Sequence, residues 1–280
     1  MKIKILSDST CDLPQALIQM HNITVIPLIV MKDGQEFWDG QTITPTDIFS
    51  HVAAGGTLCT TAARSVGIYL DVFEKYVGKY DGVIHISLGS GFSSSYQNAC
   101  LAAEEFDNVQ VVDSKNLSVG QGLTVLEACR LAQTAQSLNE VVQALEDFTG
   151  RVEASFVVDK LDYLVKGGRC SSAAALGANL LNLKPCIEVK DGRMSVVKKY
   201  RGSFAKCLSA YVRERLEGRE DLDRGSLFVV RTQMEEDAFQ TVLETANSCG
   251  NFENIYTAAA GCTISCHCGP NTLGLMYVRK

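Results

Sequence analysis

Residues 83–97 read Val83-Ile84-His85-Ile86-Ser87-Leu88-Gly89-Ser90-Gly91-Phe92-Ser93-Ser94-Ser95-Tyr96-Gln97. A short apolar run from Val83 to Ile86 stops at a Gly/Ser elbow, and a helix-compatible stretch opens at Ser93-Ser94-Ser95. A strand, a tight turn and a helix N-terminus together make an anion site. The free N–H groups of the first helical turn and the positive end of the helix dipole both point into the turn. Hydroxyls line this turn, and no Lys or Arg occurs between Lys79 and Lys115. Such a lining suits one small anionic or polar head group held by hydrogen bonds, rather than a polyphosphate clamp.

Working outward, strand-like runs at Lys2–Leu6, Thr24–Val30, Val83–Ile86 and Val109–Val112 alternate with helical patterns. Helical spacing at i, i+3, i+4, i+7 is carried by Tyr69, Val72, Phe73 and Tyr76, and a second helical pattern by Val141, Leu145 and Phe148. Thr44-Pro45-Thr46-Asp47 predicts a helix start, and Ser118-x-x-Gln121 and Ser137-x-x-Glu140 both fit a capping box. Asp33-Gly34 and Asp191-Gly192 predict hairpin turns. Strand–helix alternation through residue 150 predicts a largely parallel, Rossmann-like sheet with helices on both faces. From Ala154 the pattern changes: a strand at Ala154–Val158, helices at Asp159–Lys166 and Ser172–Asn182, and strands at Pro185–Val189 and Met194–Tyr200. Helices at Ser203–Leu216 and Glu235–Ala246 flank a strand at Leu227–Val230, with a last strand at Thr272–Val278. The expected fold class is therefore α/β, with an N-terminal α/β domain over 1–152 and a C-terminal mixed-sheet α/β domain over 153–280.

Composition narrows the function classes. The chain has 280 residues, 46% hydrophobic and 21% charged, ordinary values for a globular protein. No apolar run approaches the ~20 residues that span a bilayer, and the start Met1-Lys2-Ile3-Lys4 carries no signal-peptide apolar segment, so a cytoplasmic protein is expected. Eleven scattered cysteines read as small buried residues kept reduced. A formal charge of −6 argues against general nucleic-acid binding. The charge is unevenly spread: residues 160–206 hold ten Lys/Arg against three acids, a net of about +7 that leaves about −13 elsewhere. That stretch reads either as a solvated face or as a docking surface for an acidic partner or phosphorylated ligand.

Four polar turns border apolar runs: Ser7–Asp12, Cys59–Ser65, Gly89–Ser95 and Asp113–Ser118. In an open α/β sheet the loops at the carboxyl ends of the strands gather along one edge, where ligands bind. The first, third and fourth turns follow strands directly and should share that edge; helix capping is the alternative use of such hydroxyls. The C-terminal run Ala258–Asn271 is also unusual. Cys266-His267-Cys268 puts adjacent residues on one short segment, an arrangement ill suited to wrapping a tetrahedral metal ion, and no metal site is expected. Small residues before His267 and Gly269-Pro270 after it let the backbone come close to a ligand, with His267 as a donor to an anion. No G-x-x-x-x-G-K-[ST] loop, G-x-S-x-G elbow or tight carboxylate run is present. The residues thus favour holding a ligand over transforming it, and no cofactor is expected. An enzyme using His267 as acid or base on a small anion, and a lipid-sensing regulatory protein, remain as alternatives.

Taken together, Ser7-Asp8-Ser9-Thr10-Cys11-Asp12-Leu13, the Ser90–Gln97 elbow, Asp162-Tyr163-Leu164-Val165-Lys166-Gly167-Gly168-Arg169 and His267-Cys268-Gly269-Pro270 resemble the motifs of the DegV family. Its members include bacterial fatty-acid-binding subunits of fatty acid kinase. The resemblance runs from residue 2 to about residue 278. It implies two α/β domains with a long-chain fatty acid between them and the tail in a tunnel of the second domain. A separate ATP-dependent kinase subunit would phosphorylate the carboxylate, the product passing to phospholipid synthesis. Thr61, Ser93 and His267 match the family's carboxylate ligands, with Ser94, Ser95 and Thr60 beside them. Arg169 and Arg201 match arginines that engage the kinase or the acyl phosphate. The resemblance carries no nucleic-acid partner and no stable membrane insertion, only transient membrane contact. Leu161, Leu164, Val165, Leu176, Leu180 and Leu183 are the expected tunnel walls. This chain departs from the pattern at Thr61-Ala62-Ala63-Arg64-Ser65, where the family has Thr-Ser-x-Pro-Ser and where Arg64 brings a cation towards the head group. It departs again at Ser94-Ser95, in place of Gly-Thr, and at Asn271, in place of Gly.

Overall fold

The computed structural model describes residues 1–175 and 183–280. The chain begins β1 (Ile3–Asp8), a 3-10 turn (Ser9–Cys11), α1 (Gln15–Met20), β2 (Thr24–Ile26), β3 (Ile29–Lys32), β4 (Gln35–Trp38), α2 (Pro45–Ala53) and β5 (Thr60–Ala62). It continues α3 (Val66–Val77), β6 (Gly82–Ser87), α4 (Ser95–Ala103), β7 (Val109–Asp113), α5 (Val119–Leu131) and α6 (Leu138–Thr149). Then come β8 (Val152–Val158), α7 (Asp162–Gly167), α8 (Ser171–Ala174), β9 (Leu183–Lys190), β10 (Arg193–Arg201) and α9 (Phe204–Leu216). The last elements are β11 (Leu222–Arg231), α10 (Glu236–Gly250), β12 (Asn254–Ala259), α11 (Cys262–Cys268) and β13 (Thr272–Arg279). Among the described residues no helix is long and apolar enough to cross a membrane.

Three sheets organise these elements. A four-stranded sheet, ordered β2-β1-β6-β7, is parallel throughout. A six-stranded sheet, ordered β10-β9-β8-β13-β11-β12, is mixed: β11 and β12 pair in parallel and the other neighbours are antiparallel. The α/β class with one parallel and one mixed sheet is as the sequence predicts. The small sheet β4-β3-β5 is antiparallel. Every residue of β6 is buried, as expected for a strand covered on both faces. On one face Tyr69 and Phe73 of α3 and Ala99 and Ala102 of α4 pack on Leu6 and Val83. On the other, α5 and α6 pack on Ile5, Ile84 and Ile86, and the same core continues to Phe156, Ile187, Phe228 and Met276 of the six-stranded sheet. Helix α5 is thus the layer shared by both large sheets, which is why nine of its residues are buried.

Several local expectations are corrected. The run Thr24–Val30 is two strands in different sheets, because Pro27 between them has no N–H to give to a ladder. Ser118-x-x-Gln121 makes no capping box. Ser118 has φ +50°, and its hydroxyl donates to Asp12 Oδ2 (2.6 Å). Gln121 is fully buried, accepting from Thr10 Oγ1 (2.8 Å) and donating to Ser7 Oγ (2.9 Å) and Ile86 O (3.2 Å). A buried amide must be satisfied locally, and that demand outweighs the cap. Thr44 and Asp47 do form the full box. Ser137 accepts from the Glu140 N–H (3.2 Å), but the Glu140 carboxylate returns to Gln136 N, one residue before the cap. Both hairpins have the left-handed pair their turns need: Asp33 and Gly34 at φ +50° and +77°, Asp191 and Gly192 at +49° and +70°.

The helix expected over Ser172–Asn182 is present as α8, Ser171–Ala174; its remainder beyond residue 175 lies outside the described residues. Strand β12 and helix α11 went unassigned in the sequence, since Asn254–Ala259 has no sustained apolar run and α11 is only seven residues long. Within the basic stretch, Lys184 pairs with Asp159 (2.5 Å) and Lys198 with Glu214 (2.5 Å). Arg193, Lys199, Arg201 and Lys206 are exposed on and after β10, the edge strand, where cations also keep a bare sheet edge from pairing.

Candidate functional site

Strands β1 and β6 are neighbours in the parallel sheet, and their carboxyl ends carry Asp8 and the elbow Leu88–Ser95. Asp8 is fully buried and accepts from Leu88 N–H (2.8 Å), Ser87 Oγ (3.0 Å) and Tyr69 Oη (2.7 Å). Burial opposes its ionisation, but His85, with Nε2 3.4 Å away, and these donors hold the carboxyl below its usual range. The elbow is pinned further along by Gly89 N–H to Asn116 O (2.9 Å), and by Ser90 N–H and Oγ to the Asp113 carboxylate (3.0 and 2.6 Å). Gly91 lies so close to the Gly192 carbonyl of the β9–β10 hairpin that a Cβ there would collide with it. The loops after β1, β6 and β7 therefore do share one edge.

Helix α11 is brought to that edge by two carboxylates. Asp39 accepts from Cys262 N–H (2.8 Å), Thr263 N–H (3.2 Å) and Ser9 Oγ (2.8 Å), and Asp12 accepts from Gly261 N–H (2.9 Å). These occupy N–H groups that a helix start leaves free. Burial pushes the Asp12 carboxyl up to about 8 against the pull of the Ser118 hydroxyl, with Asp39 adding to the rise. Successive residues of α11 then point apart. Cys266 enters a small core with Cys59, Cys262 and Ile48; His267 Nε2 meets Thr61 Oγ1 of β5 at 2.7 Å; Cys268 joins the main core.

Between the elbow, β5, α7, α11 and the β9–β10 hairpin is a cavity of about 320 Å³. Its polar lining includes Thr61, Ser93, Ser94, His267 and Arg169. Its apolar lining comes from both parts of the chain: Leu28, Leu88, Phe92 and Leu117 on one side, Leu164, Met194, Ile264 and Cys268 on the other. A neighbouring cleft under the six-stranded sheet shares Leu117, Ile264 and Cys268 with it. Of the sequence-predicted polar residues, five thus meet at one cavity. Ser95 lies one step behind it, fully buried, with Oγ 2.9 Å from Ser93 Oγ. Its N–H donates to Ser93 Oγ (3.2 Å), so this N–H of the helix start is used internally and not by a ligand. Thr60 is exposed on β5, and Arg201 is exposed at the end of β10; neither lines the cavity.

Other expectations are revised. Of the expected walls, Leu164 lines the cavity and Leu161 packs on the main core, but Val165 is 40% exposed because it lies on the outer face of α7. Leu183 is half-buried at the start of β9, and Leu176 and Leu180 lie outside the described residues. Arg64 is not a cation in the cavity: it is buried, its Nε donates to Pro27 O, and its guanidinium lies 5.1 Å from the Trp38 ring centre. Leu28, Phe92, Met194 and Ile264 were missed, since each reads in sequence as ordinary core. All eleven cysteines are free thiols, nine of them buried.

The electrostatics suit holding rather than proton transfer. Burial, and secondarily the Arg169 guanidinium, push His267 down to about 4, so the ring is neutral near pH 7. One ring nitrogen is engaged by Thr61, and Nδ1 is buried without a partner. Burial pushes the Cys268 thiol up to about 12, with Asp12 and Cys170 adding to it, which removes its nucleophilic form.

By fold and cavity, this is an α/β scaffold with a cavity that is polar at one end and apolar over the remainder. It belongs to the DegV family, whose sequence profile matches residues 2–280. A DegV domain-containing protein of Caldanaerobacter subterraneus is 32% identical over all of this chain and 99% of its own. A DegV family protein of Thermus thermophilus, described as fatty acid binding, superposes with a TM-score of 0.88 at 32% identity, covering all of both chains. A stearic acid-binding protein of Eubacterium ventriosum does so with a TM-score of 0.83 at 28% identity, covering 99% of this chain and 98% of that one.

Proposed function

We propose that the protein holds a long-chain fatty acid in the cavity, with the carboxylate among Thr61, Ser93 and His267 and the tail among Leu88, Phe92, Leu117, Leu164, Met194 and Ile264. The observation that carries this reading is the junction of a hydroxyl–imidazole end and an apolar remainder in one 320 Å³ space. The relatives from Thermus thermophilus and Eubacterium ventriosum support it by the ligands their descriptions name. The energetics agree. Each buried CH₂ contributes about 0.8 kcal/mol, so the tail supplies most of the affinity. Hydroxyl and imidazole donors offset the cost of desolvating the carboxylate.

In this reading the chain is a carrier that presents the carboxylate to a separate ATP-dependent kinase, with the acyl phosphate passing on to phospholipid synthesis. Residues 1–152 form the domain that bears the elbow, and residues 153–280 the domain that closes over the tail. Arg169, at the cavity, and Arg201, on β10, form the docking surface for the kinase or engage the acyl phosphate. A neutral His267 and a protonated Cys268 support holding over transforming.

Native mass spectrometry of the purified protein tests the first step. Co-purified palmitate, stearate or oleate is expected, and its loss from the Thr61→Ala/Ser93→Ala double variant assigns the head group. Protein that neither retains nor gains a thermal shift from these acids overturns the reading. Charge reversal at Arg201, which lies outside the cavity, is expected to abolish phosphorylation of bound stearate by a fatty acid kinase and ATP while leaving retention intact. Parallel loss of both removes the docking role.

A further inference from the structure

Thr263, in the first turn of α11, carries a hydroxyl that the fold leaves unused. The residue is 5% exposed, and its Oγ1 has no hydrogen-bond partner among the described residues. Other buried threonines are paired: Thr10 donates to Gln121 (2.8 Å), Thr149 to Glu146 O (2.9 Å), Thr245 to Thr241 O (2.7 Å) and Thr272 to Cys268 O (2.9 Å). Thr124 also lacks a partner among the described residues, but it does not line the cavity. Thr263 does.

Its place in the helix explains why it is left over. Inside a helix a threonine bonds the carbonyl three or four residues back, as Thr149 and Thr245 do. Thr263 is only the second residue of α11, so the carbonyls at those offsets, on Ala259 and Ala260, precede the helix. The Ala260 carbonyl accepts from Ser265 Oγ instead (3.3 Å). The Thr263 N–H is anchored on Asp39 (3.2 Å), and His267, one turn further on, lines the same cavity. Hydroxyl and methyl branch from one carbon, so a turn between the two χ1 rotamers open to a helical threonine exchanges them and aims the proton into the cavity. An orphaned buried hydroxyl costs free energy, and a ligand oxygen would recover it.

We propose that Thr263 is a third hydroxyl ligand of the bound carboxylate, and that it selects the acid over lipids whose polar end is a single oxygen. The inference rests on the reading of Thr61 and Ser93 as head-group ligands. A carboxylate only accepts, and its two oxygens offer about four lone-pair sites, so three hydroxyl donors all find a place. An alcohol oxygen has two lone pairs and cannot take all three.

The test is competition by stearate and by octadecanol against a fluorescent fatty acid, on ligand-stripped full chain. Thr263→Val removes the hydroxyl and keeps the branched shape. It is expected to weaken stearate by roughly twofold to tenfold, the factor carried by one hydrogen bond of ordinary net strength, with a smaller change for octadecanol. Without ligand the same variant should melt at an equal or higher temperature, since an unpaired buried hydroxyl has gone. Thr263→Ser, which keeps the donor, should restore stearate binding. A residue that only supports the fold would lower the melting temperature of the stripped chain and weaken both lipids alike, and that result overturns the inference. Stearate binding unchanged in Thr263→Val overturns it too, and leaves the head-group reading standing if Thr61→Ala/Ser93→Ala still releases stearate. Stearate binding unchanged in both variants overturns both.

Discussion

Two strand-to-helix connections leave adjacent parallel strands at the same edge: Ser7–Asp12 after β1 and Leu88–Ser95 after β6. In sequence they look alike, short and rich in hydroxyls. In the structure the first is turned inward throughout. Ser7 bonds Ile86 O (2.9 Å), Ser9 bonds Asp39, Thr10 bonds Gln121, and Asp12 holds Ser118 and the start of α11. The second leaves Ser93 half-buried and Ser94 exposed at the cavity. What separates them is cover. Helices α5 and α11 pack on the first connection, whereas a gap beneath the β9–β10 hairpin is left over the second. A cluster of hydroxyls becomes a site only where nothing else in the chain consumes its hydrogen bonds.

That contrast can be broken or sharpened by substitution. The largest effect is expected from Asp8→Ala, which strips the acceptor from Leu88 N–H, Ser87 and Tyr69. Orphaned buried donors cost about 1–3 kcal/mol each, so urea unfolding should show a loss of about 3 kcal/mol or more. A loss near zero would deny the first connection its structural role. Gly91→Val should come next, because its side chain must displace the Gly192 carbonyl. Overpacking of about 1–3 kcal/mol is expected, together with loss of bound fatty acid in native mass spectrometry. Full retention would mean that the hairpin contact does not close the cavity.

Stability against pH separates the first connection from the cavity's histidine. Asp12, raised to about 8 in the fold, contributes stability that is fully present below its unfolded value near 4 and is lost as pH rises through 8. His267, lowered to about 4, has the opposite sign: its contribution is present above about 6.5 and is lost as pH falls through 4. Between about pH 6.5 and 8 only the Asp12 slope remains of this pair, so Asp12→Asn should flatten the decline of thermal stability over that window. An unchanged slope would show that Asp12 is ionised in the fold. Thr61→Val, which deletes the partner of His267, should weaken fatty-acid retention by the roughly fivefold that about 1 kcal/mol represents. Ser94→Ala is expected to have the smallest effect: this exposed side chain makes no cap bond, and its stability change should fall within about 0.5 kcal/mol. A larger loss would extend the structural role into the elbow.

Much of this was legible in the chain. Val83–Ile86 and Val109–Val112 declared parallel strands through Val/Ile-rich runs broken only by His85 and Gln110, and Asp33-Gly34 and Asp191-Gly192 declared their turns through the one backbone geometry those residues tolerate best. The elbow residues Ser93 and Ser94 could be named as facing a ligand edge from the strand–turn–helix pattern. Other features were not legible, because their causes lie far off in sequence. Ser118 and Gln121 spell a capping box, yet they are claimed by Asp12, Thr10 and Ser7, over a hundred positions away. Arg64 looked like a head-group cation until Pro27 and Trp38 took it.

By itself the sequence determined what depends on neighbours along the chain: strand and helix periods, turn chemistry, and a hydroxyl-rich turn with no nearby cation. Only the tertiary structure decided which hydroxyls stay free, because hydrogen-bond satisfaction in a buried network is settled by whichever groups the packing brings together. It put Thr61 against His267, 206 positions apart, and set Ser95 behind Ser93 and Tyr69 against Asp8. The elbow was written locally, and which of its hydroxyls face the cavity was written by the fold.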